Sequence, residues 1–232
     1  PSGMVRVQGG TTSLGVLPNL APFTVELDDF WMDKYEVTNR QFKEFVDGGG
    51  YQKPEFWRHD FVSKGRKLTW EEAIREFRDT TGRPGPANWE MGSFPEGQEE
   101  YPVSGISWYE ASACAEFSGK SLPTVFHWFR AADCTRSSEI VPLSNFGNSG
   151  PAPVGKYQGL SLYGTYDMAG NVREWCFNAS GEDRFIRGGA WSDPVYMFSQ
   201  LDAKSPFDRS STNGFRCVRY LTSEPEAAKA KE

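Results

Sequence analysis

Histidine and clustered cysteine are scarce in this sequence. Its 232 residues include two histidines, His59 and His127, and four cysteines that form no CxxC pair. Zinc sites need cysteine or histidine at short spacing, and a hydrolase needs a general base beside a nucleophile. We therefore expect neither kind of site. The cysteines, which we expect to be structural and reduced unless they pair in disulfides, are Cys114, Cys134, Cys176 and Cys217.

Long apolar runs and an excess of basic residues are also missing. No uninterrupted apolar stretch approaches the roughly 18 residues that cross a bilayer. The first residues, Pro1 to Val5, do not form the basic and apolar regions of a secretory signal. The net charge of −6 disfavours nonspecific attraction to nucleic acid or to an anionic membrane. We therefore expect no nucleic-acid partner and no membrane partner, and we favour a cytoplasmic location.

The composition that is present indicates many turns around an aromatic core. The chain has 24 glycines, 15 prolines and 15% aromatic residues. We expect one loop-rich domain at residues 1–222 and a charged tail or linker at residues 223–232. Because the chain begins with Pro1 rather than methionine, we expect a module of a longer polypeptide.

Local patterns predict short strands and about four helices. Thr38, Thr69 and Ser107 each stand three residues before Gln or Glu, which is a capping box, and Thr124 precedes a fourth helical pattern. The second of these helices is predicted to extend to about Asp79. Alternating apolar residues and turn signals predict strands near residues 4–8, 23–27, 30–32, 185–187 and 215–220.

Six sequence motifs, spread over most of the chain, follow one another in a recognisable order. They are Trp31–Asn39, Pro102–Glu110, Gly119–Thr124, Gly170–Trp175, Arg187–Trp191 and Gly214–Arg216. Together they resemble successive blocks of the formylglycine-generating enzyme, or sulfatase-modifying-factor, family. The resemblance implies an irregular α+β domain, a variant of the C-type lectin fold. The chain resembles in particular the version fused to bacterial serine/threonine kinases, which implies further domains in the full-length protein.

Two positions depart from the family's catalytic pattern. The resemblance implies copper-binding cysteines four and nine residues after Gly189, and these positions hold Asp193 and Phe198. Cu(I) is a soft ion that prefers sulfur ligands, so a carboxylate and a phenyl ring cannot replace the two thiolates. We therefore expect no copper and no catalytic residues.

The segment before the first of these positions implies a calcium site. By the resemblance, Asp167 and Glu174 would supply carboxylate oxygens, and Gly170 and Val172 would supply backbone carbonyls. Calcium prefers such hard oxygen ligands. The alternative is that the two acids cap turns or pair with Arg173 or Arg187. A separate expectation is that Arg216 bridges a buried carboxylate.

The resemblance also implies a ligand groove. Its predicted residues, which could instead pack in the core, are Trp191, Asp193, Tyr196 and Phe198. The favoured function is a noncatalytic module that binds a peptide, protein or glycan, as the accessory or sensor domain of a larger bacterial protein. The alternatives are an oxidoreductase that converts a peptide cysteine to formylglycine, and a structural spacer.

Overall fold

The computed structural model describes residues 1–14 and 23–221, and the tail predicted at residues 223–232 lies outside them. None of the helices in these residues is both long and apolar enough to cross a bilayer. The five α-helices of the described residues are α1 (Asn39–Asp47), α2 (Trp70–Ile74), α3 (Trp108–Phe117), α4 (Val125–Ala132) and α5 (Ser137–Ile140). The fifth, α5, is a single turn that the sequence pattern did not predict.

Three helices begin with the capping boxes that the sequence predicts. Thr38, Thr69 and Ser107 each accept a hydrogen bond from the amide three residues ahead, and the side chain of that residue accepts one from the cap's own amide. These bonds satisfy amides that the first turn of a helix leaves free. Helix α4 has only the first of the two bonds, to Thr124, because the residue three ahead is His127.

Helix α2 is shorter than predicted, because it ends at Ile74 and not near Asp79. Beyond the helix, Arg209 donates from Nη1 to the carbonyl oxygens of Glu76, at 3.2 Å, and Arg78, at 2.9 Å. The Asp79 carboxylate accepts hydrogen bonds from three backbone amides of the following turns. These bonds satisfy backbone groups outside a helix, so tertiary contacts override the local helical pattern.

Eleven short strands in the described residues form four small sheets. The strands are β1 (Met4–Val7), β2 (Gly10–Leu14), β3 (Phe23–Leu27), β4 (Phe30–Asp33), β5 (Phe61–Ser63), β6 (Arg66–Leu68), β7 (Arg173–Ser180), β8 (Asp183–Arg187), β9 (Asp202–Lys204), β10 (Asn213–Gly214) and β11 (Val218–Tyr220). One antiparallel sheet has the order β1-β4-β11, and a second has the order β10-β7-β8-β9, in which only the β10–β7 pair is parallel. The pairs β2–β3 and β5–β6 are antiparallel. The mixture of short helices and small sheets confirms the predicted loop-rich α+β fold.

The second sheet brings distant parts of the chain together at one place. On β7, Glu174 lies opposite Arg187 of β8 and beside Gly214 of β10. Arg216 follows β10 by two residues, so the short parallel pair carries its side chain toward Glu174. The sheet register therefore positions an acid and a base that are 42 residues apart in sequence.

Two clusters of buried apolar side chains form the core. One surrounds α1 and α3 and includes Phe42, Trp108 and Trp175. The other packs α4 against the first sheet and includes Phe30 and Trp128. Most of the largest fully buried side chains of the described residues are tryptophan or phenylalanine, as the aromatic composition predicts.

Candidate functional site

The centre of the candidate site is an ion pair between Glu174 and Arg216, whose side chains are both 0% exposed. Arg216 donates from Nε to Oε2 and from Nη2 to Oε1 of Glu174, each over 2.7 Å. Trp128 donates from Nε1 to the same Oε2 at 2.7 Å. Both carboxylate oxygens therefore accept strong, charge-assisted hydrogen bonds. This geometry confirms the prediction that Arg216 bridges a buried carboxylate.

A second buried acid, Glu36, supports the loop that leads into β7. Its Oε2 accepts from Nδ2 of Asn171 at 2.7 Å, and its Oε1 accepts from the amide of Val172 at 3.1 Å. Burial raises the pKa of Glu36 well above its usual range, and the charges of Asp167 and Glu174 raise it further. The sequence analysis did not single out Glu36. The available signal was its position inside the Trp31–Asn39 segment that resembles the family.

Asp167 lies in the same loop with a left-handed backbone, at φ 57°. Its Oδ2 accepts from the amide of Gly155 at 2.6 Å. Burial raises the pKa of Asp167 to about 6, although the Gly155 bond and the charge of Arg216 act in the opposite direction. The charges of three buried carboxyl groups, of Glu36, Asp167 and Glu174, thus all act on the guanidinium group of Arg216 and raise its pKa.

The backbone of this loop is closely packed. Gly170, at φ 78°, lies so near the carbonyl oxygen of Asn145 that an added Cβ would stand 2.3 Å from it. Asn145 also accepts, at the same carbonyl oxygen, from the amide of Asn171 at 3.0 Å. A side chain at position 170 would therefore force two segments apart, which explains the glycine.

As placed, the predicted calcium ligands do not form an open cation site. Glu174 would have to release Arg216 and Trp128 before its oxygens could bind an ion. Among the described residues, no three acidic, histidine or cysteine side chains converge in a way that could hold a metal ion. Calcium binding at Asp167, Gly170, Val172 and Glu174 therefore stays a prediction, and the proposed function does not depend on it.

The calcium prediction has a direct thermal test. If calcium binds at this loop, a free concentration 100 times the dissociation constant should stabilise the fold by about 2.7 kcal/mol. Asp167→Asn should abolish that gain. Calorimetry in calcium and in EGTA measures both. Equal midpoints for the wild-type protein in the two buffers would contradict calcium binding and leave Arg216 as the cation that neutralises this cluster.

Asp193, at one of the two positions where the resemblance implies a copper-binding cysteine, forms a second ion pair. Arg173 donates from Nε to Oδ2 at 2.7 Å and from Nη2 to Oδ1 at 2.6 Å. The amide of Ala190 donates to the same Oδ2 at 2.8 Å. The Asp193 side chain is 11% exposed. Its carboxylate therefore fixes the turn after Gly189 and is not presented to a ligand.

Phe198, the other departing position, lies in the core. It is 1% exposed, and its ring packs edge-on against Trp128 with centroids 6.2 Å apart. Tyr196, two residues earlier, is 61% exposed. Both residues belong to the 3₁₀ turn Val195–Phe198, in which one ring is exposed and the other is buried. The burial of Phe198 favours the packing alternative over a role in a ligand groove.

The four cysteines are free thiols, and all of them lie in the described residues. Cys114, Cys176 and Cys217 are buried, and burial raises the pKa of each. Burial also raises the pKa of Cys134 to about 11, while Arg187 opposes the shift. Since the thiolate is the form that binds metals and attacks substrates, these side chains are poorly suited to either role near neutral pH.

A cavity of about 430 Å³ lies beside the turn that contains Trp191. Segments far apart in the sequence form its walls, and the lining residues include Asn88, Trp89, Gln98, Tyr101, Trp191 and Ser211. Of the four predicted groove residues, only Trp191 lines this cavity. Tyr196 and Phe198 border a separate depression of about 280 Å³. Trp89, Gln98 and Tyr101 were not among the site residues predicted from the sequence, since a stretch rich in proline and glycine gives no periodic signal.

The family model for the sulfatase-modifying factor enzyme 1-like domain matches residues 1–221. The chain therefore belongs to this family, as the motif order predicts.

Its relatives include kinase-fused proteins and enzymes. Serine/threonine-protein kinase pkn1 of Chlamydia pneumoniae is 29% identical over 252 residues, which cover 94% of this chain and 38% of the kinase. The formylglycine-generating enzyme of Thermomonospora curvata is 32% identical over 284 residues and 93% of each chain. Inactive C-alpha-formylglycine-generating enzyme 2 of Mus musculus is 28% identical over 241 residues, 84% of this chain and 76% of the relative. The chain spans 33–38% of the length of the pkn1 kinases that it matches.

Solved structures show the same fold. CarF is similar with a TM-score of 0.62 at 21% identity, over 96% of this chain and 99% of CarF. PvdO from Pseudomonas aeruginosa is similar with a TM-score of 0.62 at 18% identity, over 94% of each chain. At these identities the likeness establishes the fold alone.

Proposed function

We propose that this domain binds a ligand and does not oxidise one. In the terms of its family, it is a noncatalytic binding module, and the alternative is an oxidoreductase that converts a peptide cysteine to formylglycine. The observation that carries the proposal is the environment of Asp193 and Phe198, at the two positions where the family resemblance implies copper-binding cysteines.

The side chains of Asp193 and Phe198 stabilise the fold and are not placed as metal ligands. Asp193 is held by Arg173 through two hydrogen bonds, and Phe198 is buried against Trp128. Neither group is a soft ligand, and neither is free to move without breaking a salt bridge or opening the core. A Cu(I) ion would therefore find no thiolate at either of these two positions.

Other thiols do not supply a replacement. Cys114, Cys176 and Cys217 are at most 3% exposed, and Cys134 has a pKa of about 11. A copper-dependent oxidase needs thiolates that reach both the metal and a substrate. The low exposure and raised pKa of these cysteines favour the noncatalytic hypothesis over the oxidoreductase hypothesis.

The similarity to pkn1 kinases supports a further part of the proposal, which concerns the role of this domain in a larger protein. This chain matches about a third of those proteins. We propose that it acts as an accessory or sensor domain of a larger bacterial protein, located in the cytoplasm. The Mus musculus relative, whose name describes it as inactive, shows that the family includes a member described without enzyme activity.

A turnover assay tests the proposal. The protein is loaded with Cu(I), incubated in air with a cysteine-containing sulfatase-type peptide, and the peptide is analysed by mass spectrometry and aldehyde labelling. We expect no aldehyde above a copper-only control, while the formylglycine-generating enzyme of Thermomonospora curvata, run in parallel, should convert the peptide. Aldehyde formation that scales with the amount of this protein would overturn the proposal in favour of the oxidoreductase.

A further inference from the structure

We infer that the cavity beside Trp191 binds an uncharged saccharide. The inference rests on the proposed function, because it specifies the ligand of the same noncatalytic module. It follows from three properties of the cavity: the absence of charge in its lining, the pairing of most of its backbone amides, and the kind of side chains that remain free.

The lining of the cavity is neutral. Aromatic rings, carboxamides, hydroxyls and prolines line it, and none of the described lining residues is charged. A ligand with a buried charge would find no counterion there, and burying an unpaired charge is costly. Uncharged ligands are therefore favoured.

The rim adds a second constraint. Glu96, Glu99 and Glu100 are chain neighbours of the lining residues Pro95, Gln98 and Tyr101. Arg40 pairs with Glu100 in a largely exposed salt bridge. The remaining negative charge at the rim disfavours phosphates, carboxylates and sulfates as ligands.

The backbone around the cavity has little left to offer an extended peptide. Of the nine lining residues that have an amide hydrogen, five donate it to other backbone carbonyls, namely Asn39, Trp89, Gln98, Tyr101 and Trp191. Three further lining residues are prolines, which have no amide hydrogen. Recognition by strand addition needs a row of unpaired backbone groups. Side chains are therefore expected to supply most of the recognition in this cavity.

The side chains that remain are those that suit a sugar ring. Tyr101 and Trp191 are partly exposed and can present their rings to a ligand. The Trp89 indole is only 1% exposed, and its Nε1 donates to Oδ1 of Asn39 at 3.2 Å. The Tyr101 hydroxyl and the Gln98 carboxamide have no hydrogen-bond partner among the described residues, so they are free to donate to, and accept from, ligand hydroxyls. Flat apolar faces beside such groups match a ring with apolar faces and hydroxyl edges.

The volume is consistent with this ligand class. Small-molecule sites commonly occupy about 300–1,000 Å³ and combine apolar walls with a few polar groups. The cavity, at about 430 Å³, lies near the lower end of that range. A single sugar ring or a short oligosaccharide terminus is therefore the expected occupant, and not a long chain.

A glycan array with matched peptide arms tests the inference. The labelled protein is applied to neutral glycans, to sialylated and sulfated glycans, and to uncharged and basic decapeptides, and hits are measured by calorimetric titration. We expect binding to neutral glycans only. Trp191→Ala should weaken binding at least about tenfold, the size of effect expected from losing one stacked ring with its buried area.

Two further variants separate recognition from folding. Tyr101→Phe removes only the hydroxyl and should weaken binding about threefold to tenfold, as expected for one hydrogen bond, without a change in melting temperature. Tyr196→Ala removes an exposed ring outside the cavity and should leave binding unchanged.

The outcomes separate this inference from the proposed function. If a peptide bound and its binding depended on Trp191, the saccharide inference would be overturned, while the proposed function as a binding module would stand. If no neutral glycan bound, or if Trp191→Ala and Tyr101→Phe left glycan binding unchanged, the saccharide inference would also be overturned. Aldehyde formation in the turnover assay would overturn the proposed function itself.

Discussion

Replacing Arg216 by leucine should lower the free energy of unfolding by about 3–5 kcal/mol, the range found when one partner of a buried ion pair is removed. The substitution leaves Glu174 fully buried with Trp128 as its remaining hydrogen-bond donor. The guanidinium group also donates to the carbonyl oxygens of Asp33 and Tyr166, and these bonds are lost too. Urea unfolding followed by tryptophan fluorescence measures the change.

The double variant Arg216→Leu with Glu174→Leu is the matched control. It removes both charges, so it should recover part of the stability lost in the single variant, since the unpaired carboxylate is gone. If the free energy of unfolding of the single variant lay within about 1 kcal/mol of the wild-type value, the pair would contribute no more than an exposed salt bridge does. That result would mean that another cation neutralises Glu174.

Replacing Phe198 by alanine should cost about 3–5 kcal/mol, as other large-to-small substitutions of buried phenylalanine do. The ring is 1% exposed and packs on Trp128, so the substitution opens a cavity beside the ion pair of Glu174. Tyr196→Ala is the matched control on the same 3₁₀ turn. Since Tyr196 is 61% exposed, its loss should change stability by no more than about 0.5 kcal/mol.

The comparison of these two variants separates packing from ligand contact. Thermal or chemical unfolding without any ligand is sufficient. If Phe198→Ala and Tyr196→Ala had equal, small effects, Phe198 would not be a core residue, and its interpretation as part of a ligand groove would be restored.

Local sequence signals predicted much of the fold. The capping boxes at Thr38, Thr69 and Ser107 depend on residues three positions apart, so their geometry is contained in the sequence. The order of the motifs predicted the family, and the position of Arg216 predicted its pairing with a buried acid. The early end of α2 could not be predicted, because Arg209, more than 130 residues away, binds its following backbone.

The site was harder to predict for the same reason. Glu36 lies far from the loop that it holds, and the cavity is assembled from segments near Trp89, Tyr101 and Trp191. Such convergence depends on tertiary packing and leaves no periodic signal. The groove prediction for Tyr196 and Phe198 came from the family resemblance, which does not reveal that the 3₁₀ turn exposes one ring and buries the other.

Anaerobic titration with Cu(I) against a colorimetric chelator tests the central claim most directly. The wild-type protein should retain no stoichiometric copper, because Asp193 is engaged by Arg173 and Phe198 is buried. The variant with Asp193→Cys and Phe198→Cys places sulfur at both positions and serves as the matched comparison. One equivalent of Cu(I) held by the wild-type protein through thiolate ligands would contradict the account.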